Sequence, residues 1–268
     1  MMVHEFSSNT RENHPDLWRA KLPVKKSGGH KYDCGHAVIY GAPELTGATR
    51  LAAESCARAG AGLVTVLSPP GVVNVYRETL APHIMVRDDP DWHDDRVTAR
   101  LYGPGGLCAP PDFSSALPTV LDADALKDLP KKLSANFVLT PHEGEFKRAF
   151  PDLEGPKQAR AQAAARQSGA CVVLKGPDTV IAAPPEPARA QAGDRVVINT
   201  HAGPELATAG TGDVLAGLIT GLLAQGMPVF EAACAGVWIH GEAGRRFGAG
   251  LVAADLPGLI PAVLQDLA

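Results

Sequence analysis

Strand-like and helix-like segments alternate along most of this 268-residue chain. That alternation predicts an α/β fold: a mostly parallel central sheet with helices on both faces. Two further observations agree. The residues suited to chemistry follow strand-like runs, in "YGPGG", "DADAL", "TPHEGE" and "KGPDT", and ligands bind outside the carboxyl ends of strands in such folds. Hydrophobic residues make up 45% of the chain, enough for a sizeable core. With no internal repeat and no linker-like break, residues 30–268 read as one domain behind an irregular arm, residues 1–29.

In chain order, "HAVIYG" (36–41) reads as a strand. "TGATRLAAESCARAG" (46–60) reads as a helix with Thr46 as its cap and Gly60 at its end. A buried strand (61–69) and a helix (71–80) follow. Apolar runs at 99–103, 118–123, 136–140 and 170–176 read as further strands, and a helix is expected to begin within "TPHEGEF". "PKQARAQAAARQSG" (156–169) is an alanine-rich helix closed by glycine. Residues 178–184 and 195–200 look like an antiparallel pair joined by a proline-rich loop. Helices at 212–225, 229–247 and 253–267 complete the chain; in the first, Val214, Leu215, Leu218, Ile219, Leu222 and Leu223 recur at helical spacing.

Composition excludes several classes of function. The net charge is −4, which gives no reason to expect nucleic acid or an acidic membrane as partner. Aromatics are 5% of residues, too few for stacking platforms on single strands. The five cysteines are scattered, with no CxxC pair, so neither a disulfide framework nor a zinc ribbon is expected. Their usage fits a reducing cytosol, and a cytoplasmic location is expected: no signal-peptide core and no run long enough to span a bilayer is read.

The glycine turn before Asp213 is the most suggestive local pattern. A helix amino terminus presents free N–H groups and so binds anions. An acid there could take a proton from a hydroxyl that attacks a phosphate, or could simply complement the helix dipole. Neither GxxxxGK[ST] nor GxGxxG is present, which argues against a P-loop or a Rossmann dinucleotide site. Lys175 opens "KGPDT" at a strand end, where it could hold nucleotide phosphates or stand as a solvated lysine before a hairpin. In "TPHEGEF", Glu145 could hold Mg²⁺ through water. Thr140, Pro141 and Glu143 also make an ordinary capped helix start, which leaves His142 unexplained. Asp122 and Asp124 would share a face if extended. "HGEAGRRFG" (240–248) reads as a helix end with a solvated basic tip.

Together these segments resemble the ADP/ATP-dependent NAD(P)H-hydrate dehydratases, a branch of the ribokinase-like fold, a three-layer sandwich. The resemblance runs from "HKYDCGH" through "LTGATRLAAESCARAGAGLVTV", "YGPGG", "LDADAL", "LTPHEGEF" and "VVLKGPDTVIAAP" to "LATAGTGDVLAGLITGLLAQG". It implies a lyase of metabolite repair that uses ADP or ATP, with Mg²⁺, to return hydrated NADH or NADPH to its reduced form. Asp213 would be the catalytic base, also touching the hydrated cofactor. Gly210, Thr211 and Gly212 would form an anion hole. Lys175, Gly176, Pro177, Asp178, Thr179 and Gly212 would contact the nucleotide, and Ala48, Gly105 and His142 the hydrated cofactor. An NAD(P)H-hydrate epimerase is the implied functional partner, expected outside this chain, and a homo-oligomer, as a tetramer, is the implied assembly. The stretch from "YGPGG" to "DADAL" lacks the longer helix usual in such proteins, and Tyr102 stands where a small or branched residue is common. A ribokinase-like small-alcohol kinase and a catalytically silent nucleotide-binding protein are the alternatives.

Overall fold

The computed structural model describes residues 11–25, 27–89, 91–185 and 195–268. Ten strands among them form one sheet: β1 (Arg11–Glu12), β2 (His36–Tyr40), β3 (Leu63–Leu67), β4 (Met85–Arg87), β5 (Ala99–Tyr102), β6 (Thr119–Leu121), β7 (Phe137–Leu139), β8 (Cys171–Leu174), β9 (Thr179–Ala183) and β10 (Arg195–Asn199). Their order is β1-β10-β9-β8-β7-β6-β5-β2-β3-β4. All neighbours are parallel except the β8–β9 and β9–β10 pairs. Seven α-helices among the described residues accompany the sheet: α1 (Thr46–Arg58), α2 (Val73–Thr79), α3 (Glu143–Ala149), α4 (Lys157–Ser168), α5 (Thr211–Ala224), α6 (Val229–Phe247) and α7 (Leu256–Leu267).

The central strands are apolar on both sides because both faces are covered. Ile39, Leu101, Val120, Val138, Val173 and Ile181 pack with α1, α5, α6 and α7, while Tyr102, Leu121, Leu139, Val172, Leu174 and Val180 pack with α3 and α4. The second face is the thinner one. No helix lies between β5 and β6; there, Tyr40 stacks on Tyr102 at 3.8 Å, with Leu107 and Phe113 packed nearby.

Helix α5 lies so close to α1 that side chains are excluded. A Cβ on Gly217 would sit 2.0 Å from the Ala52 carbonyl oxygen, and one on Gly221 2.5 Å from that of Cys56. The small-residue face of "GLITG" therefore sets how closely α5, and with it the Asp213 turn, approaches α1.

Several expectations need correction. Thr46 is the first residue of α1, and its preceding residue, Leu45, makes no side-chain cap. Two strands escaped the reading: β4, whose three residues are too short for a period, and β1, which lies in the supposedly irregular arm. Beyond β1, Trp18 is buried in the main core and its indole N–H donates to Asn13 Oδ1 at 3.1 Å. Asn13 in turn donates to Asn199 Oδ1 (2.9 Å) and the Cys234 carbonyl (2.8 Å). The proline-rich connection expected between the antiparallel strands falls largely on residues 186–194, outside the described residues, as do residues 1–10 of the arm.

Candidate active site

The chain runs from β2 outward through β3 to β4, then returns to β5 on the other side of β2. Loops leaving β2 and β5 therefore diverge, and such a reversal opens a crevice at the carboxyl edge of the sheet. Thr49 ties the two loops together: its Oγ1 accepts from Ala42 N–H (3.0 Å) and donates to the Pro104 carbonyl (3.0 Å). Tyr76 donates its hydroxyl to the Ala42 carbonyl at 2.7 Å. Ala48 and Gly105 meet here, since a Cβ on Gly105 would lie 3.0 Å from Ala48 Cβ and 2.3 Å from the Leu45 oxygen.

The next three strands along the sheet deliver a charged cluster. Asp122 follows β6, Thr140 follows β7 and Lys175 follows β8. Lys175 is no solvated lysine: its Nζ lies 2.8 Å from Asp122 Oδ1 and 3.9 Å from Glu145 Oε2. The same ammonium faces the glycine turn, where a Cβ on Gly212 would be 3.2 Å from it. Asp213 is the third residue of α5, and Gly210 precedes that helix in a left-handed conformation (φ +92°) that favours glycine. Thr211 pins the turn by donating to the carbonyls of Leu206 (2.9 Å) and Thr208 (3.0 Å). Behind it lies His240 of α6, buried rather than part of a solvated tip, with Nε2 unpartnered among the described residues.

Electrostatics follow from this crowding. Burial pushes the Asp213 carboxyl up to about 7, with help from the negative charges of Asp122 and Glu145 and against the pull of Lys175. Burial opposes the charge of Lys175, but Asp122, Glu145 and Asp213 outweigh it and raise its pKa. Lys175 thus stays cationic while Asp213 titrates near neutrality. A carboxylate with that property suits base catalysis at physiological pH.

The start of α3 explains His142. Its Nδ1 accepts from the N–H groups of Gly144 (3.0 Å) and Glu145 (3.3 Å), and Glu145 Oε2 accepts from the His142 N–H at 2.8 Å. His142 is therefore the cap, and Thr140, the expected cap, instead donates its hydroxyl to Asp122 Oδ1 at 2.7 Å. Capping commits Nδ1 and leaves Nε2 on an exposed ring, 3.3 Å from Glu145 Oε1. Asp124 does not share a face with Asp122, because a 3₁₀ turn follows β6; it pairs with Lys127 at 2.8 Å.

Gly176, Pro177 and Asp178 form the turn between β8 and β9, with Thr179 donating to the Gly176 carbonyl at 3.1 Å. Lys157, which sequence reasoning passed over inside an alanine-rich helix, braces this turn. Its Nζ donates to the carbonyls of Lys175 (3.2 Å) and Asp178 (2.6 Å), and burial lowers its pKa. Nothing in the sequence distinguishes it from other surface-helix lysines. Asp122 was visible as a strand-end acid, but its partner was not.

Among the described residues no group of three His, Cys, Asp or Glu side chains forms a metal cage. The carboxylates present are hard oxygen donors, and Glu145 is already engaged by His142. Such a set fits Mg²⁺ only in the mode it commonly adopts, held largely by water and substrate phosphates.

This strand order, with an antiparallel hairpin toward one end and a glycine turn opening a buried helix over the carboxyl edge, defines the ribokinase-like α/β fold. A family model described as NAD(P)H-hydrate dehydratase matches residues 36–265, and the chain belongs to that family. It is 35% identical to the ADP-dependent (S)-NAD(P)H-hydrate dehydratase of Neisseria meningitidis, over 84% of this chain and 81% of that protein. It is 36% identical to the bifunctional NAD(P)H-hydrate repair enzyme of Salinibacter ruber, over 96% of this chain and 53% of that one. The chain thus spans about half the length of such bifunctional relatives. Among solved structures, the ADP/ATP-dependent NAD(P)H-hydrate dehydratase of Bacillus subtilis, co-crystallised with ATP/Mg²⁺, superposes with a TM-score of 0.83 at 28% identity, covering 98% of this chain and all of that one. Among the described residues no helix is long and apolar enough to cross a membrane.

Proposed function

We propose that this protein dehydrates hydrated NADH or NADPH at the expense of ADP or ATP. The observation that carries the reading is Asp213 at the glycine turn, its pKa raised to about 7 beside a lysine that remains charged. Asp213 accepts the proton of the ring hydroxyl as its oxygen attacks the terminal phosphoryl group of the nucleotide. The O–P bond forms, the phosphoanhydride bond breaks, and ADP leaves from ATP, or AMP from ADP. The N–H groups of Gly210, Thr211 and Gly212 and the ammonium of Lys175 face the charge on the transferred group. Phosphate then departs with the C–O electrons, the ring nitrogen supplies electron density, and loss of a proton from the adjacent carbon restores the dihydronicotinamide. Phosphorylation is needed because hydroxide is a poor leaving group near neutrality.

We assign the hydrated cofactor to the loops that carry Ala48, Gly105 and His142, and the nucleotide to the turn from Lys175 to Thr179 with Gly212. Mg²⁺, held by the nucleotide phosphates and through water by Glu145, would neutralise phosphate charge. We further propose a cytoplasmic location, a homo-oligomer in the form of a tetramer, an arm over 1–29 before the catalytic domain, and a separate epimerase supplying the reactive epimer. A donor labelled at its transferable phosphate tests the chemistry. The label should appear in free phosphate with none retained on the cofactor; a stable phosphorylated cofactor would overturn the dehydratase reading.

A further inference from the structure

The placement of Asp122 is over-determined. A Cβ on Gly103 would lie on top of the Asp122 carbonyl oxygen, so only glycine lets β5 approach it. The next residue, Ala123, is the only non-glycine residue with positive φ (44°) among those described, a conformation that disfavours a Cβ and tends to mark functional positions. Thr140 donates its hydroxyl to Asp122 Oδ1 at 2.7 Å, and Lys175 approaches the same oxygen at 2.8 Å. The Asp122 side chain is 3% exposed. Four local features thus converge on one carboxylate whose only part above is to help raise the Asp213 pKa.

We propose that Asp122 is a positioning residue: its carboxylate fixes the Lys175 ammonium against the glycine turn, where the transferable phosphate of the nucleotide arrives. A lysine on a flexible four-carbon stem would otherwise lose mobility on meeting the donor. Asp122 and the Thr140 hydroxyl hold it in place beforehand. Glu145 Oε2 lies 3.9 Å from the same ammonium. This inference rests on the nucleotide reading of the turn.

The test is a double-mutant cycle on ATP affinity, measured by calorimetry with MgATP, which needs no hydrated cofactor. Asp122→Asn should weaken ATP at least fivefold in the wild-type background and should not weaken it when Lys175 is already Met. Equal weakening in both backgrounds, or no weakening in the first, overturns the role. Loss of the acid's partner can compromise folding in Lys175→Met, so Thr140→Val supplies a milder variant that keeps both charges. It should weaken ATP two- to fivefold, and an unchanged affinity counts against the proposal. Failure of the wild type to bind ATP would overturn both this role and the donor reading. Binding without NADH return would leave this role standing and sink only the repair reaction.

Discussion

Asp213 carries a partly buried negative charge beside two other carboxylates, and Lys175 offsets only part of that burden. Two consequences can be measured. The proposed reaction needs the deprotonated acid, so kcat/KM should fall with unit slope as pH drops below about 7 and level off above it. Folding shows the opposite dependence. The folded state holds this proton more tightly than the unfolded chain, so stability declines as pH rises from the ordinary carboxylate value to about 7. Above that pH the whole cost is present. Asp213→Asn should therefore lower kcat by about 10²–10⁴-fold while raising stability by on the order of 1–4 kcal/mol at pH 8, a gain that disappears near pH 4. Denaturant titration at the two pH values separates these outcomes. A variant with near-normal kcat would reduce Asp213 to a helix-dipole residue.

Elements differ in how far the sequence disclosed them. Helices α1, α5 and α6 were legible because their apolar periods are long. The strand ends carrying Lys175 and Asp122 were legible because turn residues follow apolar runs. Caps were not: Thr46 and Thr140 have the right chemistry at the wrong position, since a cap is decided by where the backbone leaves the sheet. Long-range partners were also hidden. Asp122 and Lys175 are 53 residues apart, and only the parallel order of β6, β7 and β8 brings them together. Lys157 was hidden as well: its ammonium closes the turn from Lys175 to Asp178 from α4. Lys157→Met removes hydrogen bonds to two turn carbonyls, with charge-assisted bonds contributing about 1.5–3 kcal/mol each before compensation. ATP should bind roughly 5–30-fold more weakly, as an effect of 1–2 kcal/mol implies, while the hydrated cofactor loses little. Equal losses for both ligands would place Lys157 in general support of the fold.

At the scale of the whole molecule, the loops flanking the reversal point between β2 and β5 and the turn after β8 open at one edge of the sheet, and the arm adds a strand at the end beside β10. Trp18 anchors that arm in the core, so Trp18→Ala should cost about 3–5 kcal/mol of stability, read from urea unfolding. A loss below 1 kcal/mol would mean that the segment docks only loosely. The α/β class followed from alternation alone, whereas the sandwich family came from several motifs in order. The asymmetry of its two faces was visible only as a short stretch between "YGPGG" and "DADAL", which β5, β6 and the stacked tyrosines cover without a helix. In the proposed reaction, Asp213 and the glycine turn couple nucleotide cleavage to return of the dihydronicotinamide. Hydrated NADH, Mg²⁺ and ADP or ATP, followed together by dihydronicotinamide absorbance and phosphate release, test it most directly. One phosphate should be released for each NADH regenerated, with no regeneration when the nucleotide is omitted. A folded, nucleotide-binding sample that leaves the absorbance unchanged would contradict it.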